Sequence, residues 1–462
     1  TDALKKAQAM VEEYQDKLIA RFSEITGLTP SQTAASLEWL QERGYRPDNL
    51  QAQTMEAWLD HPKLTPEAAE ALSIRAALSF AATKKIKAMI DCAGSDGRIR
   101  GAFLWYGAQR TGRWSSRLVQ FQNFKRPVIK NTVTAYELVR TGAGMDGFEL
   151  MYDNPMEALA SIIRNFIREP DARMIDLDLA NIEGRVAGWL AGDEVLLDEF
   201  RAGLDVYKVM ASSIYGVDIN EVDADQRMTG KVAVLSCGYG TGWRKFQDMA
   251  LAYGHELDDA TCRLTVYKYR KARRPIVQAW QDFGDAAIAA LRNPGESYFA
   301  GEHVRFKYGR IGGFPALIMT LPSGRSLIYP EPQLISKEIT ADILVEADDG
   351  AIIMEERQFS ATSINFYGQQ QGKTVWGRVE THGSKLFESA CQAVAGDFLV
   401  HGLLEARAAG FRVTMVVHDQ ALCPWQYTGA DKEFLRLMTN IPPWAPGFPL
   451  KAEVKVVECY SK

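Results

Sequence analysis

Two aspartates stand out in this chain, Asp178 and Asp419, because each ends an apolar run that reads as a buried strand rather than lying on a charged helix face. Carboxylates carried on separate strands could hold two divalent cations about 3.5 to 4 Å apart, and such a pair stabilises both the attacking and the leaving oxygen of a phosphoryl transfer. Taken singly, each acid is as well explained as a turn residue or a helix cap. A second group lies between them. Arg227, Lys231, Leu235 and Tyr239 recur every four residues. On a helix they would form one stripe able to run along a nucleotide from its phosphates to its base. Alone, the same spacing also describes an amphipathic helix with a basic face.

These residues need particular elements to position them. Met174 to Leu179 reads as a buried strand and Ile182 to Leu190 continues at helical period, so the chain passes from strand to helix close to Asp178. Phe411 to Val417 predicts a strand, followed by a sharp polar step at His418-Asp419-Gln420 and an apolar run ending in Trp425. Together these form a hairpin with an acid at its tip. From Ile182 to about Asn293 the pattern is mainly helical. From Tyr298 to about Ser363 it alternates as in Val304 to Tyr308, with turns at Gly312-Gly313 and Pro322-Ser323-Gly324, and helix returns from Gly383 to about Ala409. Residues 1 to about 90 predict several short helices broken at Gly27 to Pro30 and at His61-Pro62. From Gly94 turns and short strands take over.

The length of 462 residues allows roughly three domains. No apolar run approaches the roughly 18 to 20 residues a membrane helix needs, which excludes a helical span. The six cysteines are scattered without a CxxC pair, which argues against a disulfide frame or a zinc site. The chain opens at Thr1 without a charged-then-apolar leader, so the expectation is an intracellular, cytoplasmic protein. The net charge of −5 does not suggest nucleic acid, but the distribution is uneven. Between Lys84 and Lys130 eleven basic residues face two acidic ones, Asp91 and Asp96, a surface to which phosphates would be drawn.

Several segments then converge on one family. Asp178-Leu-Ala-Asn-Ile-Glu183-Gly-Arg185 resembles the first palm motif of family A DNA polymerases, Asp-Tyr-Ser-x-Ile-Glu-x-Arg. The five-residue step to Glu183 makes Asp178 the leading acid, with Asp176 a fallback ligand on the same strand face. Arg227 to Gly240 is similar to that family's fingers helix, Arg-x3-Lys-x3-Phe/Tyr-x3-Tyr-Gly, and Val416-Val417-His418-Asp419-Gln420 resembles its Val-His-Asp-Glu hairpin. Thr111-Gly-Arg113-Trp-Ser-Ser116, with Gln122-Asn123, looks like its Thr-Gly-Arg-Leu-Ser-Ser and Gln-Asn signature. Gly383 to Asp397 is similar to the palm helix of phage-type members.

The resemblance implies an α+β right-hand fold. The expected division is a helical thumb at 1–95, a first palm segment at 96–195, fingers with the nucleotide-binding helix and a β-rich insertion at 196–380, and a second palm segment at 381–462. It implies a monomeric, template-directed DNA polymerase module, without an exonuclease of its own, that adds dNTPs to a primer 3′-hydroxyl in phage replication. Its cofactors would be two Mg²⁺, with Mn²⁺ able to substitute, held by Asp178 and Asp419, with Leu179 also a metal-binding position. Lys231 joins the acids as a catalytic residue. The nucleotide would meet Arg227, Lys231, Leu235, Tyr239, Glu183 and Tyr207, with Glu183 filling the space a ribose 2′-hydroxyl needs. Primer-template DNA would meet Arg113, Gln122, Asn123, Gln392, His418 and Arg185. Lys385 and Glu388 are weaker candidates.

Three departures carry expectations. Tyr207 stands where bacterial members have His, and Leu235 where they have Phe or Tyr. Gln420 replaces an acid beside the metals, so catalysis is expected to be intact but slowed. A single-subunit RNA polymerase or reverse transcriptase would share the palm acids, and Glu183 speaks against RNA synthesis. A catalytically weak DNA-binding protein is the competing reading, motivated by Gln420 and opposed by the intact acid pair. A two-metal nuclease has only Asp431-Lys-Glu433, in a helical segment, to support it.

Overall fold

In a computed structural model of the chain, residues 1–59, 61–78, 81–108, 110–170, 173–348, 350, 352–370 and 375–460 are described. The N-terminal periodicity becomes five helices, α1 (Asp2–Thr26), α2 (Thr33–Glu42), α3 (Ala52–Leu59), α4 (Pro66–Leu78) and α5 (Ala81–Cys92). They are not uniformly short. α1 runs 25 residues because it serves two cores. Leu4, Ala7, Met10 and Val11 pack with residues under the sheet that carries Asp178, whereas Phe22 packs with Trp39, Leu40, Met55 and Leu72.

Strands β1 (Phe103–Ala108) and β2 (Arg113–Ser116) form an antiparallel pair. Three helices for which the sequence reading offered no assignment follow: α6 (Thr132–Thr141), α7 (Gly144–Met151) and α8 (Pro155–Ser161). Asn131 and Asn154 cap α6 and α8 by accepting backbone N–H bonds. These helices close over the same core as the first half of α1.

The next strand, β3 (Met174–Leu179), is central in the sheet that carries both aspartates. It is followed by α9 (Ile182–Ala191), α10 (Glu194–Arg201), α11 (Val206–Tyr215), α12 (Ala224–Cys237), α13 (Trp243–Ala252), α14 (Asp259–Ala272) and α15 (Arg274–Arg292). Then come a four-stranded antiparallel sheet of β4 (Ser297–Ala300), β5 (Val304–Ile311), β6 (Phe314–Thr320) and β7 (Ser326–Pro330), and a three-stranded one of β8 (Gln333–Glu346), β9 (Ile352–Gln369) and β10 (Trp376–Thr381). Strand structure therefore continues past Ser363 to Thr381. Helix α16 (Gly383–Ala408) leads to β11 (Met415–Val417), β12 (Gln420–Pro424), α17 (Ala430–Met438) and β13 (Ala452–Val457). The strand expected from Phe411 begins only at Met415. The Phe411 N–H is spent on the Ala406 carbonyl at 2.9 Å, closing the end of α16.

The sheet order is β11-β12-β3-β13, antiparallel throughout. Alternation along β3 sends Ile175, Leu177 and Leu179 into the largest core, against α9, α15 and α16. Met174, Asp176 and Asp178 point to the other face, where Met174 joins the second core. Among the described residues no helix is long and apolar enough to cross a membrane.

Helix α12 starts from a capping box between Asp223 and Gln226 and lies against α11 at Gly230. A Cβ at Gly230 would collide with the Tyr207 carbonyl oxygen and come within 3.0 Å of the Ala211 nitrogen, both backbone atoms. Gly230→Ala should therefore lower stability by about 2 kcal/mol, the scale of overpacking a tight contact. Denaturant titration followed by tryptophan fluorescence checks it, and an unchanged midpoint would contradict the close approach.

Candidate active site

Two features of the backbone bring the aspartates together. The chain leaves β3 through Ala180, whose N–H donates to the Lys451 carbonyl at 2.9 Å, and Asn181, whose left-handed φ of 50° lets α9 begin at once. On the neighbouring hairpin, His418 and Asp419 form a two-residue turn between Val417 and Gln420, with His418 at φ 55°. Positive φ on a non-glycine residue is local strain of the kind held in place at functional sites. The Leu179 N–H donates to the Asp419 carbonyl at 3.1 Å, joining the two acid-bearing segments directly.

Asp178 and Asp419 line one cavity of about 590 Å³ with Arg113, Asn181, Glu183, Tyr207, Lys231, Leu235, Tyr239 and His418. Within it Arg113 ion-pairs with Glu183 at 2.7 Å and donates to Gln392 at 3.1 Å. Burial pushes the Glu183 carboxyl up against the pull of Arg113. The Tyr207 hydroxyl donates to Asn181 at 2.8 Å, and burial pushes that phenol up as well. Tyr239, held up well above the usual range by burial, lies 6.4 Å from the Phe387 ring. Lys231 Nζ lies 5.4 Å from the ring centre of Tyr253, a residue of the same cavity.

Not every expected residue sits as the sequence suggested. Helix α12 ends at Cys237, so Tyr239 occupies the turn after it rather than a fourth step of the stripe. The turn is made at Gly238 and at Gly240, which has φ 77°. Arg227 is not part of the cavity lining. Its Nε donates to Asp205 at 2.7 Å and its guanidinium lies 5.3 Å from the Tyr207 ring centre. Leu179 buries its side chain completely, leaving only its main-chain carbonyl to meet a cation. Asp176, the fallback ligand, is buried, accepts from the Gln420 amide and is not among the residues that line the cavity.

Arg185, expected to meet DNA, is 4% exposed, donates to the carbonyls of Ala180 at 2.8 Å and Pro449 at 2.7 Å, and lies over the Phe200 ring, so it fastens the turn after β3. Among the residues expected to meet DNA, Gln122 donates to the Trp114 carbonyl at 3.0 Å, and its main-chain carbonyl accepts from His418 Nε2 at 3.2 Å. Gln392 donates weakly to Glu388 at 3.4 Å. Asn123 and Lys385 are exposed.

The sequence is matched by a family model described as DNA polymerase family A over residues 4–282. A DNA polymerase of Bacillus phage SP02 is 31% identical over the whole chain and 68% of its own length. The chain belongs to DNA polymerase family A. A DNA polymerase I of Chloroflexus aurantiacus is 30% identical over half of this polymerase and a fifth of its own length. The polymerase domain of an M. smegmatis enzyme, solved with DNA primer-template and dNTP, superposes with a TM-score of 0.62 at 15% identity. That match covers 99% of this chain and 66% of the other. The fold is accordingly the thumb, palm and fingers of that family, and the enzyme class is DNA-directed DNA polymerase.

The structure also brings to the site residues that were not singled out in the sequence. Arg325, in the turn between β6 and β7, donates to Asp397 at 2.7 Å, to the Thr111 carbonyl at 2.9 Å and to the Ala393 carbonyl at 2.8 Å. It thereby fixes the segment bearing Arg113 against α16. Asn181, Tyr253 and Arg126 line the cavity, and Asp205 caps α11 while holding Arg227. The Asp205-Val-Tyr cap signal was present in the sequence, whereas a lone arginine after a turn gives none.

Burial without a charged partner lowers the Arg185 guanidinium to about 10. Arg185→Met should cost about 3 kcal/mol, because two carbonyls lose their donors, yet leave primer-template affinity and its salt dependence unchanged. Thermal denaturation and fluorescence anisotropy across salt concentrations check the two halves separately.

Proposed function

We propose that this polymerase extends a primer 3′-hydroxyl with template-coded dNTPs by two-metal phosphoryl transfer, in the replication of phage DNA. The reading divides the chain at residues 95, 195 and 380 into thumb, first palm segment, fingers and second palm segment. The observation that carries it is the cleft with Asp178 and Asp419 on its sheet side and Lys231, Leu235 and Tyr239 on its helical side. The phage relative and the M. smegmatis complex with primer-template and dNTP support substrate and setting.

The donor set suits magnesium. Two carboxylates and a main-chain carbonyl are hard oxygen donors, and Mg²⁺ commonly takes one or two protein carboxylates and completes its shell with water and phosphate oxygens. Among the described residues no three His, Cys, Asp or Glu side chains converge to hold a metal alone. A bound pair would supply charge neutralisation at the attacking and leaving oxygens.

Everything else falls to the chain. Lys231, with Arg227 released from Asp205, offsets charge on the departing pyrophosphate. Tyr239 and Phe387 form the aromatic end against which the base pair rests, and α12 shields the site from water. Glu183, fixed by Arg113, stands where a 2′-hydroxyl would fall. Arg113, Gln392 and His418 line the primer terminus, and the basic segment from Lys84 to Lys130 neutralises backbone phosphate without reading sequence.

Extension of a labelled primer with Mg²⁺, comparing dNTPs with rNTPs and the parent with Asp178→Ala and Asp419→Ala, tests the reading. Template-coded extension with dNTPs should vanish in both variants. Salt-sensitive binding without extension by the parent would favour a DNA-binding protein instead. Leu235, 40% exposed in the cleft, offers no ring to the incoming sugar, so the parent should use dideoxynucleotides poorly. Leu235→Tyr should improve that ratio by about tenfold or more, the scale of one added pocket contact. Competitive incorporation assays measure it, and chain termination by the parent at ratios near unity would remove the inference.

A further inference from the structure

The departure at Gln420 gains a partner in the structure. Gln420 is 3% exposed and Asp176 8% exposed, and the Gln420 amide donates to an Asp176 carboxylate oxygen. Gln420 sits directly opposite Asp178 in the β12–β3 ladder, and Asp176 lies two residues along the same face of β3. The contact therefore ties together the two strands that present Asp178 and Asp419, immediately behind both acids.

We propose that Asp176 and Gln420 form a side-chain clamp that sets the relative position of Asp178 and Asp419, with Asp176 supplying a further carboxyl group from outside the ligand set. This inference rests on the polymerase reading. The chemistry explains why the hairpin carries an amide. An acid at position 420 would set two carboxylates against each other in a poorly hydrated place, where like charges repel strongly. The neutral amide turns the same contact into a charge-assisted hydrogen bond. The acid absent from the hairpin thus has a counterpart on β3. Asp176 is a positioning residue: it does not line the cavity, and it acts through Gln420 and through its field on the cations.

Exchanging the two residues separates this role from plain packing. Asp176→Asn keeps a hydrogen bond to Gln420 but removes the charge. Gln420→Glu keeps two acids but breaks the bond. The double variant Asp176→Asn/Gln420→Glu restores both, with the charge moved to the hairpin. Binding of Mn²⁺ to each protein on primer-template, read as loss of free-ion EPR signal, should weaken about tenfold in Asp176→Asn, as for outer-shell partners of metal ligands. It should weaken likewise in Gln420→Glu and return to within about threefold of the parent in the exchange, so that the two effects are not additive. Thermal melting accompanies each measurement. Parent-like Mn²⁺ binding in Asp176→Asn, or an exchange no better than the sum of its single variants, would overturn the clamp. Unfolding of one single variant leaves the exchange to decide. Parent extension assays run alongside: a parent that binds Mn²⁺ but does not extend a primer defeats the polymerase reading, while the clamp is judged on binding alone.

Discussion

Two carboxylates that line one cavity repel each other, so something other than their side chains has to hold Asp178 and Asp419 in place. Here it is the antiparallel ladder between β3 and β12, ended by the Leu179 N–H bond to the Asp419 carbonyl. Backbone bonds are insensitive to the charge state of the side chains they position. The remaining architecture reinforces this ladder. Leu177 and Leu179 are fully buried on one face, β13 pairs along the opposite edge of β3, and Arg185 fastens the exit turn. The strain at His418 is tolerated because the strands on either side fix its neighbours.

The basic side chains in and beside the cleft follow a different rule. Arg113 rests on Glu183 and Arg227 on Asp205, each partner pair roughly a third exposed, and Lys231 lies over Tyr253. Ion pairs this accessible are worth no more than about 1 kcal/mol. Such pairs can be exchanged for other anions at little cost. Arg325 makes the contrast: it is half as exposed, spends its donors on Asp397 and two carbonyls, and serves to hold rather than to bind.

Much of this was legible in the sequence, where a local pattern carries the information. The alternation of Met174 to Leu179, the helical period after Ile182 and the polar step at His418-Asp419 located both acids and their elements, because each is set by neighbours a few residues away. The four-residue spacing found α12 but not its end, since Tyr239 continues the arithmetic after the glycine-containing turn has stopped the helix. Arg185 shows a related limit: motif membership says nothing about which way a side chain points, and here it turns into the protein. The Asp176–Gln420 contact was illegible, being a matter of strand register between residues 244 apart.

The β-rich insertion shows how a feature recognisable in the sequence can have a structural role that is not. Strands β8 and β9, of 14 and 18 residues, form a ribbon longer than strands usually run, and a two-stranded ribbon alone is marginal in water. It is held at both ends. At the base β10 adds a third strand and Ser363 donates to the Thr381 carbonyl at 3.1 Å. At the far end Glu346 accepts from Tyr267 at 2.8 Å and Lys271 at 2.9 Å on α14, while Leu344 and Met354 pack on the core shared by α11 to α14. The exposed ion pair contributes little. Burying two aliphatic side chains contributes up to about 1.5 kcal/mol each even when incomplete, so the apolar contacts set the grip. The ribbon is therefore a second support for the bundle that carries α12, independent of the chain passing through α15.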